Sequence, residues 1–124
     1  MSYPRIAELV KKLADLTRQG KIKWEDTIDS GIFQYTMRSS TIKISQVLSR
    51  ENDYASDIKI EIFNKNGDYI EDVTDEDIKD LLPKAYDTML EMYENARRQA
   101  MGVEDILDDI FEELPKFDED DIPF

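Results

Sequence analysis

The feature that most constrains the fold is a change in apolar period along the chain. Ile6, Leu9, Val10, Leu13 and Leu16 recur at helical spacing, the spacing falls to two between Ile32 and Val73, and it becomes helical again from Ile78 onward. A period of two sends alternate side chains to opposite faces of a strand, whereas three-four spacing lines one face of a helix. The order is therefore a helix, a run of strands, then helices, which predicts an α+β domain.

Boundaries follow from punctuation. Ser2 and Pro4 start the first helix and Gly20 stops it. Lys21 to Asp29 reads as a connector anchored to the core by Trp24, the only tryptophan. Strands are expected from Ile32 to Arg38, with Phe33, Tyr35 and Met37 on one face, and from Thr41 to Leu48, with Ile42, Ile44 and Leu48 inward; Ser39-Ser40 joins them. After a polar loop at Asn52-Asp53, Ile58, Ile60 and Ile62 alternate with Lys59, Glu61 and Phe63. Asn66-Gly67 then marks a hairpin leading into Tyr69 to Val73. Three to four antiparallel strands in a meander result. Thr74 is a helix N-cap followed by Asp75, Glu76 and Asp77, and Pro83 breaks or restarts that helix. A stripe of Tyr86, Met89, Leu90, Tyr93, Ala96 and Ala100 runs to Gly102. Ile106, Leu107, Ile110, Phe111 and Leu114 form a last amphipathic stretch that Pro115 ends.

The apolar helix faces need cover, and one face of the sheet is expected to provide it for all of them. The expected division is one domain over 1–114, packed by an N-terminal helix and C-terminal helices, and a flexible acidic tail peptide over 115–124. Its expected core holds Leu9, Leu13, Phe33, Ile44, Ile60, Met89 and Leu90.

Charge narrows the function classes. The net charge of −13 is uneven: residues 1–60 carry ten Lys/Arg against eight Asp/Glu, and residues 61–124 carry six against twenty-one. That asymmetry marks an acidic tail or interaction surface and argues against direct nucleic-acid binding. The chain has neither cysteine nor histidine. Disulfides, thiolate catalysis and most zinc sites are thereby excluded, and the commonest general base is missing. Tyr86, Met89, Met92 and Tyr93 could line a pocket but read better as core. Contiguous acids do not preorganise a cation site, so no metal, cofactor or catalytic residue is expected. Without a signal peptide or an apolar run of about 20 residues, the cytoplasm is the expected location and no membrane partner is expected.

The last residues are the most specific signal. Asp118, Glu119, Asp120 and Asp121 are four consecutive acids, followed by Ile122, Pro123 and Phe124. A Phe here can enter an apolar pocket, its carboxylate can take a charge-assisted bond from a basic residue at the rim, and the proline limits the entropy lost on docking. This stretch resembles the C-terminal tip of bacterial single-stranded DNA-binding proteins, whose acidic tails end in aspartates, Ile or Leu, Pro and Phe. The resemblance implies docking on genome-maintenance proteins such as helicases, nucleases and recombination mediators. The likeness covers about a tenth of the chain, and no barrel of the kind that family uses to hold DNA is expected upstream. An interaction module that mimics this tail is the leading expectation, and the alternative is an acidic DNA mimic or inhibitor acting through its folded surface.

Overall fold

The computed structural model describes residues 3–49 and 55–115, so the polar loop at Asn52-Asp53 and the acidic tail lie outside the described residues. The elements are α1 (Tyr3–Arg18), β1 (Glu25–Asp26), β2 (Phe33–Thr36), β3 (Ser40–Leu48), β4 (Ser56–Asn64), β5 (Tyr69–Thr74), α2 (Asp75–Ile78), α3 (Ala85–Ala100) and α4 (Val103–Glu113). The architecture is α+β. The five strands pair in sequence order, all antiparallel, with β1 and β5 at the edges.

The β3–β4 ladder is the spine of the sheet. Ile42 faces Ile62, and Ile44 faces Ile60, so the two alternating patterns stack into one apolar face. The β4–β5 turn falls at the expected dipeptide but is a longer loop closed between Asn64 and Asp68: Gly67 alone takes a positive φ, +84°, where a side chain is disfavoured, and the Asn64 side-chain oxygen accepts from Asn66 N at 2.9 Å and Asp68 N at 3.0 Å.

α1 and α3 lie on this face. Val10, Leu13 and Ala14 from α1 and Met89, Met92 and Ala96 from α3 meet Phe33, Ile44, Ile58, Ile60 and Val73 in one buried cluster. Of the expected core, Leu13, Phe33, Ile44, Ile60 and Met89 are buried, and Leu9 and Leu90 pack against it half-buried. The alanines in both helices let their axes approach each other and the sheet.

Three expectations are corrected. The segment read as a plain connector contributes a fifth strand, because Glu25 and Asp26 pair with Gln34 and Phe33. Trp24 still anchors it: the ring is 1% exposed, its Nε1 donates to Thr17 Oγ1 at 3.0 Å, and its backbone N–H donates to Gln99 Oε1 at 2.9 Å. Leu48 was expected to point into the core and is 73% exposed, while Met37 lies just past β2 and is also exposed. Leu48 shares the parity of Ile44, but it sits at the end of a nine-residue strand where burial has already lapsed at Gln46. Alternation sets the face of a side chain, and what packs over that point of the strand decides whether it is buried. The third is α4, which the sheet does not cover.

Candidate partner-binding surface

α3 ends at a left-handed residue that turns the chain. Met101 N–H donates to Arg97 O at 2.9 Å and Gly102 N–H to Gln99 O at 3.1 Å, with Gly102 at φ +63°. α4 begins at once. Arg98 reaches Glu104 at 2.8 Å across this corner.

No residue of α4 is buried, contrary to the expectation that the sheet would cover its apolar stripe. At about 100° per residue, Val103, Ile106, Leu107, Ile110 and Phe111 fall within one arc of about 140°, and Leu114 continues it. Ile106 is 52% exposed, Phe111 72% and Leu114 49%. The opposite arc carries Glu104, Asp105, Asp108, Asp109, Glu112 and Glu113, and the helix has no basic residue. Sheet cover fails for a geometric reason: α1 and α3 already occupy the apolar face, and α4 is placed by its junction with α3, its main contact in the fold. The apolar stripe was visible in the sequence, but its lack of a partner was not.

Asp118, Glu119, Asp120, Asp121, Ile122, Pro123 and Phe124 all lie outside the described residues, which end at Pro115 immediately after α4 and Leu114. The covalent chain thus joins an uncovered amphipathic helix directly to the acidic peptide.

Two other places on the fold gather polar side chains. An open cleft of about 400 Å³ lies between the ends of α1 and α3 and the start of α4. Its polar walls are paired within the fold: Arg18 holds Glu91 at 2.7 Å, Arg98 holds Glu104, and Gln99 accepts from Trp24. Its remaining charge, Asp105, is a lone acid at the start of α4 and does not build a ligand site. The second is a group of carboxylates at the β5–α2 junction that the sequence reading missed, where Asp57, Asp75 and Glu76 have oxygens within 4.8 Å of one another. Such spacing could in principle admit one hard cation. Asp75 has a structural task there, however. Its Oδ1 accepts from Ile58 N at 2.8 Å, tying the start of α2 to β4, and Asp57 has interactions of its own. Burial pushes the Asp75 carboxyl above the usual range against the lowering effect of that bond, and neighbouring Glu76 and Asp77 add to the rise. Asp77 serves as a cap, its Oδ2 accepting from Thr74 N at 2.9 Å.

No helix among the described residues is long and apolar enough to cross a membrane. No protein-family model, no curated protein and no solved structure matches the chain.

Proposed function

We propose that this protein is a non-enzymatic interaction module that presents its C-terminal peptide to proteins holding the tail of single-stranded DNA-binding proteins, either displacing that tail or recruiting its holder. The observation in favour is that the packed domain finishes at α3, and the chain then runs through a helix that buries nothing into Asp118–Phe124. The peptide is thus attached to a segment that the core does not hold. The reading takes Phe124 with a free carboxylate as the anchor.

Burying the Phe124 ring contributes roughly 1.5–3 kcal/mol. Charge-assisted bonds to its carboxylate add about 1.5–3 kcal/mol. Together these terms amount to about 3–6 kcal/mol and ordering the peptide offsets part of it, so the Phe124 anchor alone is expected to bind at tens of micromolar or weaker. The test titrates intact and Phe124-deleted protein against a helicase that holds the single-stranded DNA-binding protein's tail, with the tail peptide as competitor. Deletion should abolish tip-dependent binding, and amidating the end of a synthetic 115–124 peptide should weaken it. Equal affinity of the two protein forms, or failure of the tail to compete, would refute the reading. A second reading, an acidic DNA mimic acting through its folded surface, has in its favour the unbroken acidic arc of α4; displacement of a basic DNA-binding protein by the Phe124-deleted chain would support it.

A further inference from the structure

α4 carries an apolar surface that nothing in the described fold covers, and its own charges restrict what can. An 11-residue helix spans only about 16 Å and is marginal when isolated in water. Its apolar arc therefore gains most from an external surface. Self-pairing is disfavoured, because two copies would bring together two helices with six acids and no base each. A helix this short also contributes far fewer than the roughly 20–30 residues a side of a standard interface. Anionic lipid surfaces and nucleic acid repel the same acids. A protein groove with an apolar floor and Lys or Arg along its rim matches both arcs at once.

We infer that α4 is a second docking segment, seating Ile106, Leu107, Ile110 and Phe111 in an apolar, basic-rimmed groove on the same protein that holds the tail. The shared partner rests on the tail reading and follows from chain length. Only Pro115, Lys116 and Phe117 separate Leu114 from Asp118. Four residue steps reach at most about 14 Å, so the groove must adjoin the tail's binding ridge. Linking the two contacts makes the second one intramolecular, and avidity then exceeds that of either segment.

The experiment measures binding of a tail-holding helicase, and separately of a tail-holding nuclease, to four species: the intact chain, the 115–124 peptide, the Phe124-deleted chain, and a Leu107→Gln/Phe111→Gln chain. Glutamine keeps the helix propensity while removing the apolar floor contacts. At least one of the two proteins should bind the intact chain ten-fold or more tighter than the peptide, and L107Q/F111Q should fall to the peptide's affinity. Raising salt from 0.05 to 0.5 M should shrink the excess, as rim charges require. If the Phe124 deletion weakens binding and L107Q/F111Q does not, the tail reading stands and this inference fails. If only L107Q/F111Q weakens binding, α4 docks and the tail reading fails. An intact chain that binds neither protein more tightly than the peptide does overturns the inference. So does a dimer in sedimentation that L107Q/F111Q converts to monomer, since a second copy would then be the cover.

Discussion

Asp75 shows how one side chain couples charge to the framework. It is 4% exposed at the first position of α2, and it holds the Ile58 N–H of the interior strand β4. Because its folded-state carboxyl is raised above the ordinary value of 3.8, its contribution to stability is greatest below that value and is lost as pH rises through the raised one. Ionised Asp75 therefore costs stability at neutral pH. Asp75→Asn keeps an oxygen to accept from Ile58 and removes the buried charge. It should equal or exceed the parent in a urea melt at pH 7, and the advantage should vanish as pH falls towards 4. Asp75→Ala leaves the Ile58 N–H without a partner and should cost about 1–3 kcal/mol. An alanine variant as stable as the parent would show that this bond is dispensable. None of this was legible in the sequence, where Asp75 is one of three acids after a capping threonine; only the packing of β4 against α2 singles it out.

Among the elements, α3 and α4 make an informative pair. Both have clean amphipathic patterns, yet α3 buries Ala85, Met89, Met92, Tyr93 and Ala96 while α4 buries none. Stability should divide the same way. Leu107→Gln/Phe111→Gln in α4 is expected to stay within about 0.5 kcal/mol of the parent, as surface changes do. Met89→Ala in α3 should cost about 2–5 kcal/mol through loss of buried contacts and the cavity left behind. Thermal melts of both variants check this, and a large loss in the α4 variant would mean that its apolar face packs on the domain. The sequence marked the stripe on α4 as readily as the one on α3, since periodicity measures which side of a helix is apolar and says nothing of whether a surface is left to meet it.

For the whole molecule, charge is the dominant long-range term. A net −13 concentrated in the C-terminal half opposes the counterion release that drives binding to phosphate backbones. The open meander, with β1 and β5 at its edges, is also not the closed barrel that single-stranded DNA-binding proteins use. No sub-micromolar binding to single-stranded DNA is expected at physiological salt. Fluorescence anisotropy with a labelled oligonucleotide checks this, and tight binding would overturn it.

Local pattern alone was sufficient for the α+β class, the antiparallel meander, the Asn66-Gly67 hairpin, the Thr74 cap and most of the core. Each depends on side-chain periodicity or on backbone preferences that act within a few residues. Three-dimensional packing decided the rest. Whether Glu25-Asp26 becomes a strand depends on the edge that β2 offers it, and whether Leu48 is buried depends on what packs over the end of β3. Whether α4 finds cover depends on α1 and α3 having already filled the sheet face. These are competitions for a limited apolar surface, and their outcome is a property of the assembled chain rather than of any segment in it.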